Sequence, residues 1–288
     1  MLLFMLISEH IIYNNLTMLH EIIAPPRHLE KYIRHFWVLE YDRITTGDSL
    51  FKVFARKFPR LVIQHNEGNS AIYEDQQHLP VSYLSGLNAV SYTCGIQPSV
   101  SITGVSFYPH AIKTFFRFDV SEMINELPDL CNFVPRAWIS EIVETKDWRQ
   151  RIAILVRFFT NRLLAAKEDD RLCAMSWQLI DLHPDLNTIR KISRACNISE
   201  RQLERRFKAC NGYSPKQFLR ISRFEKSLLL LRNGGFGKLS DVAHALNYSD
   251  QSHFIREFRE FSGHTPTEYL RMNKVYEENA AFIVKNDP

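Results

Sequence analysis

A duplication in the C-terminal third restricts the fold more than any other feature of the chain. Ile189, Ile192 and Asn197 recur as Leu239, Val242 and Asn247 at an offset of 50 residues. After one inserted residue, Ser199, Leu203, Phe207, Gly212, Pro215, Phe218 and Arg220 recur as Asp250, Phe254, Phe258, Gly263, Pro266, Tyr269 and Arg271 at an offset of 51. Each match has a structural reason. Ile189, Ile192 and Cys196, and their counterparts Leu239, Val242 and Leu246, share one face of a short helix. Asn197 and Asn247 stand where that helix must stop, and asparagine tolerates the left-handed backbone such a stop uses. Ser199 and Asp250 can then cap a second helix by accepting a backbone N–H, while small Ser193 and Ala243 let the two helices approach closely. The pattern predicts helix, tight turn, helix, made twice. In that arrangement a second helix can enter the major groove of double-stranded DNA.

The second helix of each unit has two faces. Leu203 and Phe207 point inward in the first unit, leaving Arg201, Glu204, Arg205 and Lys208 outside. Phe254, Phe258 and Phe261 do so in the second, leaving Ser252, Ile255, Arg256 and Arg259 outside. Arg205 and Arg256 occupy equivalent positions and suit guanine O6 and N7, Glu204 suits cytosine N4, and Ile255 suits a thymine methyl. Singly, such arginines are more often a solvated basic face; the duplicated caps and cores favour base reading. Pro215–Arg232 reads as one amphipathic connector of about 18 residues, or roughly 27 Å. Its Lys216, Arg220 and Arg223 are either phosphate contacts or exposed helix charge, and Lys208, His253 and Arg259 complete the expected phosphate set.

The segments ISERQLERRFKACNGYSPKQFLR and YSDQSHFIREFREFSGHTPTEYLR closely resemble the paired signature of the AraC/XylS family of bacterial regulators, from about Leu186 to Arg271. The resemblance implies a seven-helix DNA-binding domain, here residues 172–275, with base-reading residues at Arg201, Glu204, Arg205, Gln251, Ser252 and Arg256. Ser193 stands where the family has a smaller residue, and Asn197 and Asn247 where glycine is common.

Upstream, short apolar runs broken by turn residues between Ile22 and Phe107 predict strands, and helical spacing follows from Ala111 to Leu164. The stretches YIRHFWVLE and SITGVSFYPHAIKTFF resemble sensor domains attached to some family members. That implies a cupin-like β-barrel with following helices over residues 18–166, giving an α+β chain with an all-α C-terminal domain. Trp37, Tyr41, Phe54, Tyr83, Tyr92 and Phe107 either line an apolar pocket for a small-molecule effector or simply fill the barrel. Arg56, Lys57 and Arg60 form either a rim for an acidic ligand or a solvated loop. His65, His78 and His110 are too scattered for a metal, and neither a metal nor a cofactor is expected. Charged AAKEDDR at 165–171 marks the boundary, residues 1–17 read as a poorly ordered or mis-started extension, and 276–288 as a tail.

Composition narrows the partners. Residues 1–184 carry 18 Lys and Arg against 20 Asp and Glu, a balance of −2, whereas residues 185–288 carry 18 against 12, a balance of +6. Positive charge therefore collects on the duplicated part, as an electrostatic footprint for nucleic acid requires. The first residues, MLLFMLISEH, are too short and too interrupted for a spanning helix, so a cytoplasmic protein without membrane attachment is expected. Cys94, Cys131, Cys173, Cys196 and Cys210 lack paired spacing, which argues against a disulfide framework and favours small buried apolar residues. Two rivals remain. A sequence-tolerant architectural DNA binder would show little site discrimination. An enzyme joined to such a domain would need an activated nucleophile, and the chain has no GxSxG, HExxH, phosphate-loop or PCHRV-like motif. RNA polymerase contact and homodimerisation through helices between Ala137 and Leu164 are further expectations.

Overall fold

Alternation along the N-terminal strands decides which of two cores receives each side chain. A computed structural model describes residues 6–13, 16–43, 49–166, 171–182, 186–234, 236–271 and 282–284. Its strands are β1 (Leu6–Tyr13), β2 (Leu16–Ile23), β3 (Ile33–Arg43), β4 (Ser49–Val53), β5 (Arg60–Gln64), β6 (Ile72–Glu74), β7 (Gln77–His78), β8 (Ser82–Ser85), β9 (Tyr92–Ile96), β10 (Ser99–Phe107) and β11 (Phe282–Val284). They form one antiparallel sheet ordered β1-β2-β3-β10-β5-β8 and a second ordered β11-β4-β9-β6-β7. On the first sheet Trp37, Val62, Tyr83 and Ile102 turn toward the second, where they meet Val53, Ile72, Cys94 and Ile96. Their neighbours Phe36, Val38, Leu61, Ile63 and Phe107 turn the other way, toward helices. Gly104 of β10 is required by this packing, because a Cβ there would lie 2.2 Å from the Trp37 indole.

The expected cupin-like β-barrel takes the form of two facing antiparallel sheets; among the described residues no ladder joins them. The chain changes sheets between β3 and β4, β4 and β5, β5 and β6, β7 and β8, β8 and β9, and β9 and β10. The β8 edge is covered, since Leu84 N–H donates to Pro128 O at 3.0 Å and Tyr83 bridges Asp129. Residues 6–13, inside the extension expected to lack order, form β1 and pair with β2.

Three helices follow: α1 (His110–Phe116), α2 (Arg136–Glu144) and α3 (Trp148–Leu164). Ile152, Leu155 and Phe159 of α3 are buried, with the Phe159 ring edge-on to Phe107 and tilted against Phe115. The amphipathic spacing that suggested a dimer face is thus used against the chain's own sheet. The C-terminal part contains α4 (Arg171–Leu182), α5 (Leu186–Ala195), α6 (Glu200–Asn211), α7 (Pro215–Asn233), α8 (Leu239–Ala245), α9 (Gln251–Ser262) and α10 (Pro266–Arg271), seven helices among the described residues. One buried cluster includes residues from Ile23 through Phe107 and Phe207 to Tyr269, so the two halves share a core. No helix among the described residues is long and apolar enough to cross a membrane.

Candidate nucleic-acid interface

The two units are built by the same local devices. Asn197 and Asn247 adopt φ of 51° and 57°, ending α5 and the turn after α8 in left-handed backbone. Ser199 accepts from Gln202 N at 3.2 Å to cap α6, and Asp250 accepts from His253 N at 2.7 Å to cap α9. That backbone bond holds the Asp250 carboxyl below its usual range. Gly212 and Gly263, at φ of 79° and 75°, close the two second helices. Ser193 Oγ donates to Ile198 O at 2.6 Å across the first turn, a bond that Ala243 cannot make in the second.

Those devices leave the outer faces open. Arg201, Glu204, Arg205 and Lys208 on α6 are exposed, as are Gln251, Ser252, Arg256 and Arg259 on α9 and Lys216 at the start of α7. Leu203, Phe207, Phe254 and Phe258 lie beneath them with at most 1% exposure. Ile255 is half-buried and packs on the core, so only part of it faces outward. His253 is also half-buried, with Nδ1 3.1 Å from Ser249 Oγ and its ring edge-on to Tyr248.

Two expected phosphate contacts are placed differently. Arg220 Nε donates to Glu257 Oε2 at 2.7 Å and its Nη2 to Glu260 at 2.5 Å, while Arg223 reaches Glu257 at 3.4 Å. Tyr248 Oη donates to the same carboxylate at 2.8 Å, and burial pushes its phenol up. Glu257, 2% exposed, therefore ties α7 to α9 and the turn before it. Arg220 and Arg223 are committed to that carboxylate because its burial demands partners. Sequence reasoning missed Glu257, although a carboxylate three residues after Phe254 and four before Phe261 sits in the apolar stripe and signals an inward charge.

The expected pocket residues divide. Trp37, Tyr83 and Tyr92 meet between the sheets, where burial pushes both phenols up. Phe107 belongs to the helix-facing core, and Phe54 packs instead on Phe224 and Tyr269 of α7 and α10. The Tyr41 side chain lies outside the described residues. Among the cysteines Cys94 and Cys210 are buried and Cys196 is exposed, and Cys210 is disulfide-bonded, which corrects the reading against disulfides.

Two capped helix pairs, each presenting a basic second helix, define a tandem helix-turn-helix DNA-binding module. Comparison with known proteins agrees: residues 192–272 match the family described as a helix-turn-helix domain, and residues 21–129 match a domain of unknown function, DUF6597. The HTH-type transcriptional regulator MtrA of Neisseria gonorrhoeae is 33% identical over 109 residues, 38% of this chain and 36% of that protein. The uncharacterized HTH-type transcriptional regulator YdeC of Bacillus subtilis (strain 168) is 29% identical over 86 residues, 30% of this chain and 29% of that protein. The chain thus matches about a third of the length of these curated relatives. A solved structure of a probable AraC family transcriptional regulator from Rhodopseudomonas palustris CGA009 is 26% identical with a TM-score of 0.33, covering 35% of this chain and 96% of that one. The C-terminal segment is an AraC-type helix-turn-helix domain.

Proposed function

We propose that the chain is a sequence-specific transcription regulator whose two units read adjacent major grooves of one DNA site, under control of a small-molecule effector at the N-terminal domain. The matched exposure of α6 and α9 over buried inner faces carries this reading. Arg201, Glu204 and Arg205 read bases from the first unit, and Gln251, Ser252, Arg256 and the outer part of Ile255 from the second. Lys208, Lys216 and Arg259 hold phosphates, with His253 at the margin. Varied polar outer faces favour specific readout over architectural binding, which relies on phosphate contacts alone.

The test is selection of bound sequences from a random DNA pool, followed by competition at fixed salt. Arg205→Ala and Arg256→Ala should each cost about 1–3 kcal/mol of specific binding and relax preference at one position. A specificity ratio near one for the unaltered protein would reject the regulator reading in favour of an architectural binder.

A further inference from the structure

The last turn of α6 lies where the first helix-turn-helix unit meets the N-terminal half. Cys210, Asn211 and Tyr213 are 6%, 0% and 0% exposed. Gly212 packs so closely that a Cβ there would lie 2.2 Å from Leu87 Cδ1, and Tyr213 Oη donates to Arg56 O at 3.4 Å. Leu87 and Arg56 belong to the sheet-bearing half, so this turn sits on the seam joining the sheets to the C-terminal helices. Elsewhere along its length α6 packs on α4. Arg201, Glu204, Arg205 and Lys208 stand on the same helix, so the way its end is held sets the aim of the first unit's outer face.

That end is held by sulfur. Cys94, Cys131 and Cys196 are free thiols, whereas Cys210 is disulfide-bonded. The chain has one further cysteine, so elimination leaves Cys173, in the first turn of α4, as the other half of the bond. Nothing equivalent exists in the second unit. At the offset of 51 residues Cys210 corresponds to Phe261, which is fully buried and packs on Phe224. A phenyl ring therefore anchors the end of α9, and a covalent tie does so for α6. The remaining thiols are poor competitors. Burial pushes Cys94 up to about 12, and the hydrogen bond to Asp129 raises Cys131, so both stay protonated and weakly nucleophilic. Cys196 is exposed in the turn between α5 and α6 and is a separate site of oxidation.

We propose that Cys173 and Cys210 form a reversible redox staple that sets the affinity of the first unit for DNA. This rests on the reading of the chain as a DNA-binding regulator, because disulfides are rare in the reducing compartments that hold DNA and are there mostly transient, catalytic or redox-sensing. One cysteine thiolate attacks a low-molecular-weight disulfide and releases half of it; the second thiolate attacks the resulting mixed disulfide and releases the other half. Two protein thiols lose two electrons, one small disulfide gains them, and the two protons end on the released thiols. A low-molecular-weight thiol runs the exchange backward. Bonded, α6 is preorganised for the groove; reduced, its last turn keeps only a small thiol where α9 has a phenyl ring, and the helix is held less firmly.

The experiment equilibrates the full chain carrying Cys196→Ser with glutathione disulfide or with reduced glutathione, then unfolds and alkylates it for mass spectrometry. The oxidised chain should alkylate at Cys94 and Cys131 alone and yield a peptide joining Cys173 to Cys210, while the reduced chain should alkylate at every remaining cysteine. Oxidation should raise the thermal midpoint and tighten binding of the DNA selected from the random pool by at least about threefold, reversibly on adding thiol. Cys173→Ser, which leaves the buried Cys210 in place, and Cys210→Ala should each bind that DNA equally under both conditions, at the affinity of the reduced chain. Alkylation of Cys210 in the oxidised chain, a peptide joining other cysteines, equal or weaker DNA binding on oxidation, or a redox response that persists in folded Cys173→Ser would each overturn the staple. DNA selection without redox dependence sinks the staple alone. Absence of DNA selection in both redox states sinks the regulator reading, and the alkylation pattern then decides the bond by itself.

Discussion

Glu257 shows how a single side chain can hold a recognition helix in place. It is buried, and Arg220, Arg223 and Tyr248 all point donors at it. Glu257→Ala would leave a phenol and the Arg223 guanidinium without their acceptor and Arg220 with Glu260 alone, at a cost of about 3–5 kcal/mol. Chemical denaturation should show that loss, and a change below about 1 kcal/mol would mean that water replaces the carboxylate. His65 offers a second test at this scale. Burial and the nearby Arg151 charge lower its pKa to about 3 from 6.5, despite an Nδ1 contact to Val143 O. The folded state therefore resists a proton that the unfolded chain accepts. Its contribution is complete above pH 6.5 and is lost as pH falls from there toward about 3. His65→Gln should flatten the decline of stability over that window, as followed by urea midpoints at stepped pH; an unaltered profile would assign the acid sensitivity elsewhere.

Helices α6 and α9 depend on their ends as much as on their apolar faces. The Ser199 hydroxyl and Gln202 side chain satisfy each other's backbone donors, with Gln202 Oε1 accepting from Ser199 N at 2.9 Å. Ser199→Ala should destabilise the chain by about 1 kcal/mol. Because α6 carries Arg201 and Arg205 in its first turns, fraying there should weaken DNA binding more than stability, a difference that paired denaturation and binding measurements would reveal. Helix boundaries were legible in the sequence because these devices are local. Asparagine at a stop, serine or aspartate at a cap and glycine at an exit act within a few residues of themselves. The expected caps Ser199 and Asp250 each directly precede the observed α6 and α9, and the expected connector begins with α7 at Pro215. The ion network was not legible, since Arg220 and Glu257 lie 37 residues apart and nothing nearby marks them as partners.

At the scale of the whole molecule the decisive feature is the seam. Lys57, 4% exposed, contacts Asp181 on α4 and Glu225 and Ser222 on α7. Phe54 packs on Phe224 and Tyr269, and Trp177 stacks on Tyr108 with ring centroids 4.6 Å apart. Lys57→Met should cost about 1.5–3 kcal/mol. The cost stays below that of a fully buried pair because the two carboxylate side chains keep 28% and 25% of their surface exposed. Calorimetry should show one unfolding transition separating into two, and a single transition at an unshifted midpoint would mean that apolar packing alone joins the halves.

What the residue order determined unaided was everything with a short range: the twin helix pairs, their caps and stops, their inner and outer faces, and the strand-then-helix succession upstream. Tertiary structure decided what depends on groups far apart in the chain. It arranged the strands as two facing sheets, drew Arg220 and Arg223 onto Glu257, divided the aromatic residues between two cores, and set Arg56 and Lys57 into a seam where a solvated loop was one expectation. The reason is physical: helix ends and faces are set by neighbours within a turn or two, whereas the partner of a buried charge is chosen by whichever distant element folding brings against it.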